Sequence, residues 1–299
     1  MNNTLFASSS PHIRSEESVK GIMLDVCIAL TPAIIGSIFN AFKLIFFSVI
    51  SAVGFEALTQ KAFKKPITIN DFSAVVTGIL LAFNLPANAP WWLPVVGSAF
   101  AVIIVKQFFG GLGQNFMNPA LAARAMLLVS WPSIMSNFTA PGTDAVATAT
   151  PLAIMKGLAG TEATLPRLSQ CFIGNIGGAL GETSSLLLLI GAAYLLIRGV
   201  INWRIPFTYI GTTIIMLLLF GVEPSLIPYH IFCGGLILGA FYMATDYSST
   251  PVTPLGQIIF GIGAGFLTAL IRVKGGYPEG VSYSILLMNV ATPLIERFT

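Results

Sequence analysis

Charge is what this sequence has least of. Only 9% of its 299 residues are Asp, Glu, Lys or Arg, against about 25% in soluble domains. So few charges cannot cover a water-facing surface. With 55% hydrophobic residues and a mean hydropathy of +0.83, the chain reads as a polytopic membrane protein. In a bilayer every backbone N–H and C=O needs a partner within the chain, which leaves helices or a closed barrel. The apolar runs are long and unbroken rather than alternating, so the sequence predicts an all-α fold.

Histidine and cysteine are almost as scarce. The two histidines, His12 and His230, belong to no metal or nucleophile pattern, and no catalytic triad can be assembled. The three cysteines, Cys27, Cys171 and Cys233, lie far apart without a CxxC pair. That excludes a visible zinc or cluster framework, and each reads as a small apolar filler. There is no phosphate-binding loop and no dinucleotide fingerprint. No complete active site of its own is expected. The net charge of +3, scattered over short loops, gives no nucleic-acid surface. The first twenty residues are polar and lack the apolar core of a signal peptide; they read as a cytoplasmic arm.

What is present is apolar sequence in ten stretches: 21–40, 43–59, 72–85, 91–105, 119–131, 182–199, 206–221, 228–244, 254–272 and 280–295. A spanning helix needs about 20 mostly apolar residues, so the third and fifth must borrow polar flanks. Lys and Arg in short loops set orientation. With the N-terminus inside, Arg14, Lys20, Lys61, Lys64, Lys65, Lys106, Arg198, Arg204 and Arg297 fall on the cytoplasmic side. Lys43, Lys156, Arg167, Arg272 and Lys274 fall outside. Both termini are therefore expected on the cytoplasmic side. The expected organisation is an arm (1–20), five helices (21–131), an outer loop (132–181) and five helices (182–299). An odd number of spans per half turns the second half upside down, as in inverted-repeat transporters.

Two stretches read as broken helices. FGGLGQNFMNPALAAR (Phe109–Arg124) and FIGNIGGALGETS (Phe172–Ser184) crowd glycine, asparagine and proline between apolar runs. Irregular backbone at membrane depth survives only inside protein or beside a cavity. Glycines there serve either close helix packing or close approach to a planar ligand. Ionisable residues in or beside spans mark ion paths by default: Asp25, Glu56, Glu182, Asp246 and Glu279. For Glu182 a favourable charge at a helix start is the simpler reading. Asp25, apolar on both sides, is expected to face the interior and serve ion passage or a partner subunit.

The polar interruption DAVATATPLA, from Asp144 to Ala153, has two readings. Thr148 or Thr150 can N-cap a helix beginning at Pro151, since proline suits the first helical position. That leaves Asp144 and the small-residue run unexplained. Asp144, Ala147, Thr148, Ala149 and Thr150 resemble the acceptor motif of the Rnf and Na+-translocating NADH:quinone oxidoreductase complexes. In that motif the last threonine is esterified to the phosphate of FMN. Ala-Thr stands here where the family often has Ser-Gly, which makes Thr148 a rival acceptor. SPHIRS, FGGLGQNFMNPA, GGALGETS, MATDYSSTP and YPEGVSYSILLMNVATPLIE extend the resemblance to the whole chain. SPHIRS and the short arm favour the RnfD branch of this NqrB/RnfD family.

The resemblance implies ten helices as two inverted five-helix repeats, distantly similar to urea transporters. It implies a membrane electron carrier in a ferredoxin:NAD+ oxidoreductase that moves Na+ or H+. FMN would be attached at Thr150 as a phosphoester, with Asp144, Thr148 and Ala149 around it, and riboflavin would be a second, noncovalent flavin. Gly110, Gly111, Gly113, Asn115 and Asn118 are expected to contribute to flavin binding. The implied partners are RnfA, RnfB, RnfC, RnfE and RnfG, membrane lipid, and a flavin transferase during maturation. The alternative is a small-solute channel with no redox role, its selectivity region built from the glycine-rich breaks.

Overall fold

A computed structural model describes residues 18–139, 148–158, 164–182 and 184–299, without the side chains of 38–41 and 182. The order is α1 (Val19–Ala62), α2 (Ser73–Phe83), α3 (Trp92–Ala99) running on as a π-helix (Phe100–Gln107), and α4 (Pro119–Ser130). Short helices α5 (Pro132–Met135), α6 (Pro151–Met155) and α7 (Leu168–Ile173) follow. Then come α8 (Ser185–Ile197), α9 (Arg204–Leu219), α10 (Ile227–Phe232) and α11 (Leu236–Leu238), the last running on as a second π-helix (Gly239–Met243). The chain closes with α12 (Pro254–Lys274) and α13 (Val281–Phe298). No strand occurs among the described residues; an isolated bridge joins Pro86 to Ala179.

Hydrogen bonding is helical throughout α1, yet α1 is not straight. At about 1.5 Å per residue, Lys20 and Glu56 would stand about 54 Å apart on one axis. Instead both reach the start of α2. Lys20 Nζ lies 5.7 Å from the Phe72 ring, while Glu56 pairs with Lys106, which donates to Ser73 Oγ at 2.6 Å. The arms Val19–Ser37 and Phe42–Ala62 therefore run in opposite directions.

These arms and α12 are long and apolar enough to cross a membrane, and Pro224–Phe232 with Leu236–Met243, bent by 61°, adds a fourth if it is one broken span. Each of the ten expected stretches is helical, but α2, α3 with its π extension, α4, α8 and α9 have only 10–17 residues. Eleven residues of α2 rise about 16 Å, roughly half a hydrocarbon core. The second glycine-rich break packs against the C-terminal end of α2. Leu180 N donates to Leu85 O at 3.1 Å, and a Cβ on Gly181 would strike Phe83. Glycine serves close packing at this point.

Glu182 does not open a helix. It closes a 3-10 turn, Leu180–Glu182, and α8 begins after Ser184, whose hydroxyl accepts from Leu187 N at 3.4 Å. Serine at the cap takes the role that the charge was expected to play.

Polar contacts join helices within each half and between the halves. In the first, the second arm of α1 meets α3 through Ser48 and Ser98, 3.4 Å apart. In the second, α9 meets α12 through Tyr209 and Thr268, 2.7 Å apart. Between halves, α1 meets α8 where Tyr194 donates to Asp25 at 2.7 Å. Likewise α4 meets α13 where Asn118 N donates to Asn289 Oδ1 at 3.1 Å.

Candidate functional site

Asp144 lies outside the described residues; Thr148, Ala149 and Thr150 are within them. Thr150 caps α6, its hydroxyl accepting from Ala153 N at 3.2 Å, and it is buried. Its pocket of about 220 Å³ is lined by Ile176, Gly177, Gly178, Cys233, Gly234 and Glu279, among others. Thr148 Oγ1 is buried without a hydrogen-bond partner, wedged where a Cβ on Gly177 would collide with it. Nearby cations are directed at carbonyls: Arg272 at His230 O, and Lys156 at Ile271 O and Tyr277 O, at 3.1 and 2.6 Å. Burial lowers the Lys156 pKa from its ordinary value.

This surrounding fits an esterified flavin in chemistry, though not in volume alone. An ester oxygen on Thr150 keeps a lone pair for the Ala153 N–H. The glycine backbone offers close approach, and the cations favour a phosphate's charge. Room for rings lies next door. A cavity of about 830 Å³ shares Glu279 with the Thr150 pocket and is lined also by Arg124, Ala125, Leu128, Phe138, Tyr277 and Tyr283. Arg124 makes an ion pair with Glu279 and donates to Asn84 Oδ1 at 2.8 Å.

A second cavity lies at the other end of α4. About 770 Å³ in volume, it is lined by Ser73, Thr77, Lys106, Leu112, Asn115, Asn118, Phe241, Tyr242 and Asp246, among others. Both π-helices reach it, through Lys106 and through Phe241 and Tyr242; such segments recur at functional sites. Gly110, Gly111 and Gly113 have φ of +127°, +106° and +83°, a left-handed run that only glycine adopts freely. They turn the chain into Asn115, which donates to Asp246 Oδ2 at 3.2 Å. Asn118 caps α4, accepting from Ala120 N and Leu121 N at 3.0 and 3.2 Å. The expected flavin-binding residues thus divide: Thr148, Ala149 and Thr150 at one end of α4, and the Gly110–Asn118 turn at the other.

Residues 6–299 match the NQR2, RnfD, RnfE family. The chain belongs to this family. It is similar to the D subunit of the Na+-translocating ferredoxin:NAD+ oxidoreductase complex of Acetobacterium woodii, 59% identical over 99% of this chain and 93% of the relative. It is also similar to the D subunit of the proton-translocating ferredoxin:NAD+ oxidoreductase complex of Clostridium ljungdahlii, 48% identical over 99% and 95%. The D subunit of an ion-translocating oxidoreductase complex of Ectopseudomonas mendocina is 35% identical over 97% and 93%.

In this member of the NQR2, RnfD, RnfE family the described acids lie in separate hydrogen-bonded clusters. Asp25 joins α1 to α8, accepting from Tyr194 at 2.7 Å and Arg198 at 3.2 Å. Expected to face the interior, Asp25 turns towards α8 and is held there by an ion pair with Arg198. Glu56 accepts from Lys106 and Gln107, both at 2.8 Å. Asp246 also holds Ser248 and Ser249, at 3.1 and 3.0 Å, and Glu279 holds Arg124. The side chain of Glu182 is outside the described set. The sequence reading missed Lys106 and Arg124 as partners; as cations beside apolar runs, they were the available signal. It also missed that Cys171 and Cys233 share a buried cluster with Ile176, which spacing alone does not reveal.

Proposed function

We propose that this chain is the RnfD component of an Rnf-type ferredoxin:NAD+ oxidoreductase, a membrane electron carrier that couples electron flow to Na+ or H+ translocation. One observation carries the reading: the likeness to D subunits of such complexes runs the full length of the chain. The names of those relatives divide between Na+ and H+, so the translocated cation is left as either.

In this reading FMN is esterified to Thr150, supplying one- and two-electron chemistry while the protein supplies position and field. Thr150 offers the ester oxygen, Gly177, Gly178 and Gly234 a close backbone, and Arg272 and Lys156 positive charge. A riboflavin-like flavin without phosphate suits the cavity at the Asn115 end, where amides, hydroxyls and apolar walls meet. There Lys106 is committed to Glu56, and no arginine is among the described lining residues. The reading keeps ten spans as two inverted repeats, with 132–181 outside and both ends in the cytoplasm of the cell, in line with the excess of Lys and Arg in the loops assigned inside. RnfA, RnfB, RnfC, RnfE and RnfG are the partners, with a flavin transferase acting in maturation.

The test is a denaturing gel under ultraviolet light, using the complex made alongside its transferase. A fluorescent band at the mass of this chain is expected. A dark band would remove the flavin from Thr150 and leave the chain's place in its family untouched.

A further inference from the structure

We propose that the end of α1 and the turn after the first π-helix form a binding surface for the headgroup of an anionic phospholipid in the surrounding bilayer. No flavin is involved, and none of the residues that form the surface lines either of the larger cavities.

The chemistry begins in the sequence. QKAFKKPITIN (Gln60–Asn70) carries three lysines and no acid, and FFGGLGQNF (Phe108–Phe116) carries three phenylalanines and no charge. The first stretch is delivered at the end of an apolar arm, Phe42–Ala62, and the second follows the π-helix directly. Ring contacts then bring them together. Phe63 lies against Phe108 with centroids 5.9 Å apart, and Phe109 against Phe116 at 4.7 Å. Lys65 bridges the two stretches: its Nζ stands 5.9 Å from the Phe63 centroid and donates to Gly110 O at 3.4 Å. The turn that places Lys65 is fixed from beneath. There the buried Gln60 donates to Thr68 Oγ1 and accepts from Thr68 N, at 2.8 and 2.9 Å.

Both the charges and the rings are left uncovered. Lys61, Lys64 and Lys65 are exposed, and none forms an ion pair among the described residues. The acids nearest in sequence are already engaged. Glu56 is held by Lys106, and Asp71 by Ser73, whose N and Oγ donate to it at 2.9 and 2.6 Å. Lys20 adds a fourth exposed cation at this end, 5.7 Å from the Phe72 centroid. The four phenylalanines are 41–63% exposed.

A soluble acidic partner would match the lysines alone. Rings at the end of a membrane-spanning arm sit at headgroup depth, where their faces meet the upper acyl chain while ammonium groups meet phosphate. Lysines clustered just beyond a span favour lipids of net negative charge. The occupant that satisfies both is a phospholipid with an anionic headgroup, such as phosphatidylglycerol.

The experiment uses the full chain in mild detergent, supplied with equal amounts of phosphatidylglycerol and phosphatidylcholine, and counts the lipids retained by native mass spectrometry. The wild type is expected to hold phosphatidylglycerol several-fold over phosphatidylcholine. Lys61→Gln, Lys64→Gln and Lys65→Gln combined should bring the ratio close to parity, while arginine at the same three positions keeps it high. Lys43→Gln, Arg167→Gln and Lys274→Gln combined remove the same charge from exposed positions elsewhere and should leave the ratio high. A glutamine triple that retains the preference, or a control that loses it equally, overturns the site. So does a wild type without preference; if the glutamine triple then also fails to join the other subunits of its complex, the surface belongs to an acidic protein instead.

Discussion

Glu56 and Lys106 face each other at 2.8 Å with side chains 1% and 2% exposed. Lys106 stands in the π-helix, beside Gln107, which also donates to Glu56, and Lys106 donates in turn to Ser73 at the start of α2. The pair thus pins the second arm of α1, the π-helix and α2 at one point. A carboxylate so fully matched holds these elements together as a counter-charge to Lys106.

Breaking such a pair leaves one charge stranded out of water, a loss of about 3–5 kcal/mol, whereas replacing both partners by apolar groups is often near neutral. Lys106→Met alone is therefore expected to lower the Tm of the detergent-solubilised protein sharply. Glu56→Leu with Lys106→Met should recover most of it. A double variant as unstable as the single would show that the charges matter for something other than each other.

Asp25 gives a different expectation. Its partner Arg198 is 57% exposed at the side chain, so screening leaves the pair a small share of stability. Asp25→Asn keeps an acceptor for the Tyr194 hydroxyl. The expected outcome is normal assembly, a slightly lower Tm and cation uptake into vesicles at the wild-type rate per electron. Loss of uptake in a properly assembled variant would restore Asp25 to the ion path.

What the sequence conveyed well was chemistry of low resolution: helices, where they fall, and the likeness of the whole chain to one family. Those follow from scarcity of charge and from local motifs, which the chain carries in order. What it concealed was pairing across distance. The reading of Asp25 and Glu56 as interior acids was sound as far as their own spans go, but Arg198 and Lys106 lie in other elements. The start of α8 moved from Glu182 to Ser185 because a hydroxyl cap outcompetes a nearby charge. The glycines divided by cause: Gly110, Gly111 and Gly113 for backbone shape, Gly181 for its contact with Phe83.

Orientation is the next expectation. The nine-to-five bias of Lys and Arg puts α5 outside and the end of α1 inside. Ser136 and Lys64 are both exposed. Cysteine introduced at Ser136 should react with an impermeant maleimide in intact cells, and cysteine at Lys64 only after lysis. The reverse pattern would invert the assignment.

The remaining expectation concerns which threonine carries the flavin. Thr150 is buried and its oxygen already accepts from Ala153 N, so the transferase must meet this segment before it packs or after it opens. A threonine hydroxyl is a weak nucleophile that needs activation by an external base or metal, in keeping with a separate enzyme doing the work. Once esterified, the oxygen keeps its capping role. Thr148 differs: its hydroxyl is wedged against Gly177, where no space is left even for a Cβ, so a phosphate there would displace the glycine-rich turn. Thr150→Ala should therefore lose the fluorescent band, and removal of the cap should cost about 1 kcal/mol of stability as well. Thr150→Ser should keep the cap and, if the transferase accepts a primary hydroxyl, the band. Thr148→Ala should keep a band of wild-type intensity and tolerate Gly177→Ala better than the wild-type chain does. A band that survives Thr150→Ala but vanishes in Thr148→Ala would make Thr148 the acceptor and leave Thr150 as a helix cap alone.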